Sequence, residues 1–502
     1  MNVILILCDT LRRDHVSAYT GGRPLNQCWS AEAPEWSVHT PNMDRVAKRG
    51  VTFTNCWCGS TPCMPARRDL YTGRYEFLER GWGPLEDDDI DLPRQISGPP
   101  NRSLTWSIQQ GYRISNLITD HFHLWEKGAG NYHMGYSGFE FVRGCEADAL
   151  FTDPEPFPCP ESDRLTMDER HWRNVHRLRK CEDDYFSAQV IDKACGWLDR
   201  NHTHENFFLN LDVFDPHEPF DPPERLVKQF DPRGYDVPGV GARAWYSPWR
   251  EKHTPEQFNN LRARYAAKVA FLDERLGRLF NTLDRLNLWD NTLVILTTDH
   301  GTFNGDHGRT GKLQTHEHDA VGHIPFLMAY PGGQGDQRSQ LVQLVDIFPT
   351  VLAAVQRPLP VMPEGKPLHG INLLPVLENS SAPTRDYAIA GQFGESVTLT
   401  DAQWILHQAP VPDNQPLYWY GHCLAKFMPA ILGPYVRDRR HCTNKYWWKT
   451  PTWLSNKQTD PNELINLADR EPAKLKEMQA ALARTLRSLS APPEQLQRLG
   501  LS

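Results

Sequence analysis

The sequence predicts an α/β protein: a large, mostly parallel sheet flanked by helices, followed by a smaller C-terminal α+β domain with an antiparallel sheet. Three observations carry that expectation. Strand-length, largely apolar runs at 3–7, 207–213 and 292–298 read as buried-type strands. Helical-period stretches separate them, the pattern of a layered α/β fold. Between about 357 and 385 the chain turns rich in Pro, Gly and Ser, and only short strand-like runs follow. That shift divides the chain into residues 1–380 and 381–502.

The elements follow in order. The first strand ends at Cys8-Asp9-Thr10. Thr40 reads as an N-cap with Pro41 in the first turn of a helix that runs to Arg49 and stops at Gly50. Val51 to Thr54 is a strand, and Phe207 to Val213 is another, ending just before Asp215-Pro216-His217. The clearest helix opens at Thr254-Pro255-Glu256, with Leu261, Tyr265, Val269, Leu272, Leu276 and Leu279 on one apolar face. The strand at 292–298 then delivers Asp299-His300-Gly301. Carboxyl ends of strands are where open α/β sheets hold their ligands. In the second part, 396–400 and 404–407 read as strands, and a helix over 472–488 closes the chain.

Composition narrows the function. A chain of 502 residues, 39% apolar and 23% charged, has the length and balance for a large globular core. Forty prolines and sixteen tryptophans point to ordered loops and aromatic-lined clefts. A net charge of -8 gives no general attraction for nucleic acid or an anionic membrane, so an anionic substrate must be held by local cations. Met1-Asn2 leads straight into the first apolar run, without a basic leader or cleavage site, and that run is too short to span a bilayer. Eleven irregularly spaced cysteines favour reduced thiols, and together these points predict a cytoplasmic protein. Cys56-x-Cys58 has no second pair at zinc-site spacing.

The stretch Cys63-Met64-Pro65-Ala66-Arg67, continuing to Thr72-Gly73-Arg74, carries the chemistry. Taken alone, Cys63 is equally well a buried free thiol. The full stretch resembles the signature of the sulfatase family, within the alkaline-phosphatase-like superfamily. The resemblance runs from residue 3 to about residue 470. It includes Asp460-Pro461-Asn462-Glu463 and Asn466-Leu467-Ala468, whereas residues 410–450 match nothing in it. It implies an alkaline-phosphatase-like core and a maturation enzyme that oxidises Cys63 to formylglycine, an aldehyde that hydrates to a diol. One hydroxyl attacks the sulfur of a small anionic sulfate ester (aryl, alkyl or carbohydrate), and loss of the other's proton expels sulfate.

The resemblance also implies one divalent metal ion, held by Asp9, Thr10, Asp299, His300 and an oxygen of matured residue 63. Thr10 departs from the family pattern, which often has an acidic or amide residue there. An oxygen-rich set with one imidazole suits Ca²⁺, with Mn²⁺ the second choice. Residue 63 is expected to open a helix, whose first-turn N–H groups favour an anion, with Arg67 one turn on holding the diol. His217 matches the family's proton-accepting histidine, and Lys312 its sulfate-contacting lysine. Past Gly111-Tyr112, where the family often has Gly-Lys-Trp-His, the chain has Thr119 for the Lys and keeps His121 as an acid or sulfate ligand. The missing Lys leaves a phosphonate monoester or phosphodiester hydrolase as the alternative. An unmatured binding protein with an intact thiol is the remaining reading.

Overall fold

The computed structural model describes the chain except residue 31, residues 127–128, residue 314, and residues 423–429, 432–439 and 444–448. Part of the unmatched 410–450 segment thus lies outside the described residues.

Eight strands form the main sheet: β1 (Asn2–Cys8), β2 (Gly50–Trp57), β3 (Ser115–Thr119), β4 (Gly138–Phe141), β5 (Phe208–Val213), β6 (Thr292–Thr297), β7 (His323–Ala329) and β8 (Asp336–Gln343). Their spatial order is β8-β2-β7-β6-β1-β5-β3-β4. All pairings are parallel except those of β7 with β2 and β6. β1 is central, with Val3 opposite Phe208 on one side and Leu293 on the other. Its unbroken apolar run follows from that position. Ile4, Ile6 and Cys8 enter the core on one face, and Val3, Leu5 and Leu7 that on the other.

Three helices matter for the site and its support: α1 (Cys63–Thr72), α2 (Phe186–Asn201) and α3 (Pro255–Arg285). Thr254 caps α3 with a reciprocal Gln257 bond, and Pro255 takes the first turn, where no N–H is needed. The predicted stripe from Leu261 to Leu279 lies in one core cluster with Val190, Ile191 and Leu198 of α2.

A second sheet collects Ala388–Gln392, Val397–Thr400, Trp404–Gln408 and Trp453–Asn456 in antiparallel order. Its fifth strand, Ser60–Thr61, comes from the segment that leads into Cys63 and pairs in parallel with Gly391 and Gln392. A fourth helix, α4 (Pro472–Ser488), packs Met478, Leu482 and Leu486 on Leu399 and Leu406. Its observed bounds coincide with the expected ones.

The helix expected from Thr40 to Arg49 is shorter, Met43–Lys48. The Thr40 hydroxyl instead accepts the Ser17 N–H at 2.8 Å. Gly50 is the first residue of β2, not a helix stop. A Cβ there would sit 1.9 Å from the Met328 carbonyl, so glycine is required by the approach of β7. Among the described residues no helix is long and apolar enough to cross a membrane.

Candidate active site

Four neighbouring strands, β6, β1, β5 and β3, point their carboxyl ends at one place. β6 delivers Asp299 and His300, β1 delivers Asp9 and Thr10, β5 carries Asp212 and leads to His217, and β3 leads to His121. Cys63, at the start of α1, completes the cluster. One ligand atom each from Asp9, Cys63, Asp299 and His300 lies within 4.8 Å of the others, and all four residues are buried. Thr10 adopts a left-handed backbone (φ 65°). There its hydroxyl donates to Asp9 Oδ1 at 2.6 Å, accepts from Lys312 Nζ at 3.2 Å, and its N–H reaches Asp299 Oδ1 at 3.0 Å. Two buried carboxylates and one imidazole converging on one point are a donor set that fits a hard divalent cation.

The signature residues also build their own helix. Pro65 sits in the first turn, where its missing N–H costs nothing. Thr72 Oγ1 donates to the Arg68 carbonyl at 2.8 Å, and Gly73 ends the helix in a left-handed turn (φ 68°). A Cβ on Gly73 would meet Leu368 at 2.5 Å. Arg74 pairs with Glu79 at 2.7 Å.

Arg67 departs from its expected geometry. Its fork is taken by Asp212, at 2.8 Å from Nε and 2.6 Å from Nη2. The guanidinium also meets Asp299 at 2.7 Å and Asp9 at 3.0 Å, and touches residue 63 only through its backbone carbonyl, at 3.2 Å. Buried among three carboxylates, Arg67 is bound to them first because each needs a compensating charge. The cation beside the Cys63 side chain is Lys312, whose Nζ is 3.1 Å from Sγ and 3.9 Å from Asp9 Oδ1. Burial opposes its charge, but the neighbouring acidic groups raise its pKa and keep it an ammonium.

Burial disfavours the charged form of three site histidines, His300, His217 and His121. His300 is lowered to about 4, and its Nδ1–H donates to the Gly301 carbonyl at 2.8 Å, which aims Nε2 at Cys63 Sγ, 3.4 Å away. Burial lowers His217, and its Nδ1–H donates to the Glu218 carbonyl at 2.6 Å, leaving Nε2 with a free lone pair. His121 is lowered well below the usual imidazole range. Its Nε2 donates to Asp9 Oδ2 at 3.1 Å, so the structure sets it against the carboxylate. The Thr119 hydroxyl accepts the His121 N–H at 2.9 Å and is fully buried. Burial and Asp9 raise the Cys63 thiol well above its usual 9.0, so the unmodified side chain is protonated at neutral pH.

Two features escaped the sequence reading. Asp212 is one of two polar residues, with Asn210, in an otherwise apolar strand; a carboxylate inside such a run was the available signal. The other is the wall formed by Glu218, Tyr246 and Arg243. Tyr246 donates to Glu218 at 2.6 Å, and its ring packs where a Cβ on Gly311 would come within 2.1 Å. Gly311, in a left-handed turn (φ 78°), thereby lets the Lys312 loop close on the site.

Next to this cluster, Asp120 accepts the Phe214 N–H at 2.8 Å with one oxygen, while the other is buried without a partner among the described residues. Burial pushes it from the usual 3.8 up to about 8. The folded protein therefore keeps a proton that the unfolded chain releases, and this stabilisation, full below pH 4, is lost as pH rises toward 8. Asp120→Asn should flatten that decline, as read from denaturant midpoints at pH 5 and pH 8 with the divalent ion chelated.

The Sulfatase family model matches residues 1–356. Arylsulfatase K of Rattus norvegicus is 26% identical over 381 residues, 70% of this chain and 61% of its own length, so the match spans under two thirds of that relative. The multifunctional alkaline phosphatase superfamily protein PehA of Trinickia caryophylli is 26% identical over 73% of this chain and 78% of its own. Among solved structures, one in complex with its substrate D-glucosamine-2-N,6-O-disulfate superimposes with TM-score 0.66 at 17% identity, covering 98% of this chain and 99% of that one. The phosphonate monoester hydrolase of Agrobacterium radiobacter gives 0.64 at 21% identity, covering 98% and 95%. With the signature at the head of α1 and the family model spanning most of the chain, this protein belongs to the sulfatase family.

Proposed function

We propose that this protein hydrolyses sulfate esters, with Cys63 matured to formylglycine by a separate enzyme and one divalent metal ion, Ca²⁺ before Mn²⁺, held by Asp9, Asp299, His300, residue 63 and, more weakly, Thr10. The observation that carries the reading is the convergence of Asp9, Asp299 and His300 on Cys63, with Lys312 at 3.1 Å from its Sγ. A buried thiol that stays protonated is a poor nucleophile, which favours the matured residue. The hydrated aldehyde would supply the attacking hydroxyl, and the metal would offset charge on the substrate's oxygens. Lys312 draws an anionic ester to residue 63. His217, neutral with its Nε2 lone pair free, accepts the proton whose loss releases sulfate. Arg67 and His121 hold Asp9 in place. The unpaired cysteines among the described residues support a reducing, cytoplasmic setting.

Charge explains which esters fit. Asp9, Asp212 and Asp299 face two fixed cations, Arg67 and Lys312, leaving one net negative charge. A divalent ion turns that into one net positive charge, matched by a monoanion. Thr119 adds no cation. Sulfate monoesters, phosphodiesters and phosphonate monoesters are monoanions, and a phosphate monoester carries up to two charges. In a water-poor site one unmatched charge amounts to several kcal/mol. Sulfate monoesters should therefore outrun phosphate monoesters with the same leaving group by at least about 100-fold in kcat/KM. A preference for the dianion would overturn the charge argument. The same count favours a second reading, a phosphodiester or phosphonate monoester hydrolase, and parallel turnover of the three monoanions decides between them.

Removal of the metal gives another test. Chelation should abolish turnover, and Ca²⁺ or Mn²⁺ should restore it. Asp299→Ala should lose the catalytic ion, whereas Asp14→Ala, at a carboxylate paired with Arg12 and outside the ligand cluster, should keep it. Metal content measured by mass spectrometry checks both.

A further inference from the structure

Away from Cys63 lies a second buried group of potential ligands that the proposed reaction does not use. His318 follows the Lys312 loop, His407 stands on Trp404–Gln408 of the second sheet, and Glu463 lies in the turn after Trp453–Asn456. His407 and Glu463 are fully buried and His318 is 4% exposed. Glu463 Oε2 lies 2.9 Å from His318 Nδ1 and 2.7 Å from His407 Nε2, and its Oε1 accepts the Asp319 N–H at 2.8 Å. The far nitrogen of His407 meets the Thr398 hydroxyl at 2.7 Å. Two more imidazoles brace these rings. His316 stacks on His407 at 4.7 Å and His307 on His318 at 3.9 Å. His316 is itself fixed by Ser396 Oγ and the Pro451 carbonyl, both at 2.8 Å.

We propose that His318, His407 and Glu463 form a second metal site, suited to Zn²⁺ and distinct from the ion at Cys63. Two N–H bonds would satisfy the carboxylate, but they do not account for rings held in one orientation by stacked neighbours in a fully buried setting. Two imidazole nitrogens and one carboxylate oxygen are the donor set of an open zinc site, with the fourth position free for water or a further ligand. Hydrogen bonds on the far side of the ligands, like those of Thr398 and the Asp319 N–H, orient such donors. Protons balance. Each ring transfers its proton to its other nitrogen, with His407 Nδ1–H then donating to Thr398 Oγ1, and Glu463 is already ionised. At zinc–ligand distances of about 2.0–2.1 Å, tetrahedral ligands stand about 3.3 Å apart, so each nitrogen would draw back about half an ångström from Glu463 Oε2, and the two nitrogens lie within 4.8 Å of each other. A cavity of about 860 Å³ reaches the neighbours of the cluster, with His307, Asp319, Lys457, Pro461 and Asn462 in its lining.

Such an ion would tie the 316–318 loop to the second sheet. Glu317, between two of the histidines, accepts the Thr61 hydroxyl at 2.7 Å, two residues before Cys63. Its effect is thus read as metal content and thermal stability, independently of turnover.

The test uses full-length protein stripped of metal, saturated with Ca²⁺, and titrated with Zn²⁺ alone. The expected result is one tightly bound zinc per chain and a raised melting midpoint. His407→Gln and Glu463→Gln should each weaken zinc binding by at least about 100-fold, whereas Asp299→Asn should retain that zinc. Absence of a zinc equivalent under Ca²⁺, or one lost in Asp299→Asn and kept in both other variants, overturns the proposal. Should those variants fail to fold, X-ray absorption of zinc-loaded wild-type protein decides. Scattering from two imidazoles supports the site, and a shell with one or none overturns it.

Discussion

Cys63→Ala should abolish hydrolysis of sulfate esters, lowering kcat by on the order of 10⁴-fold or more, while leaving the unfolding free energy within about 1 kcal/mol of wild type. The two effects separate because the side chain is small, and its Sγ contacts belong to the reacting cluster: Lys312, His300 and Asp9. Steady-state kinetics and denaturant unfolding of the same preparation measure both. Intact mass of active wild-type protein should show a fraction in which the thiol has become an aldehyde or its hydrate. Full activity from chains carrying only the thiol would refute the formylglycine mechanism.

Arg67→Met should be the most destabilising substitution in the site, at about 3–5 kcal/mol. Methionine replaces much of the apolar stem but leaves Asp9, Asp212 and Asp299 buried without the cation that binds all three. The loss should shrink when a divalent ion supplies charge to Asp9 and Asp299. It should also shrink at acid pH, where the carboxyls can bind protons. Urea unfolding with and without Ca²⁺ tests the first, and a pH series the second. A loss below 1 kcal/mol at neutral pH without metal would show that the three carboxylates do not depend on Arg67.

The strand-end residues Asp9, Asp299 and His300 were legible because a polar residue closing a fully apolar run has few structural uses. The start of α3 was legible from its cap and its buried face from periodicity, and α4 spans the expected residues. The carboxylate partners of Arg67 were not legible because sequence spacing shows which helix face a side chain occupies, not how many carboxylates other strands bring to it. Gly50 misled for a related reason: a glycine after a helical stretch looks the same whether it caps a helix or admits a neighbouring backbone. Ser60–Thr61 was missed since two residues carry no periodicity, and their partners lie some 330 residues on. The second histidine group had no spacing signal either, as Glu463 is 145 residues from His318 and 56 from His407.

The burial of Cys63, at 2% exposure, bears on timing. The maturation enzyme we propose would need physical access to that thiol, which the finished pocket covers. The groups that cover it come late in synthesis: His300 lies 237 residues after Cys63 and Lys312 lies 249 after. At ~5–20 residues per second the ribosome takes roughly 10–50 s to make that interval. During it, β1 also lacks β5 and then β6, its partners on either side. The long sequence separation of the site's parts thus leaves the cysteine accessible on the nascent chain, and the last strands to emerge close that window.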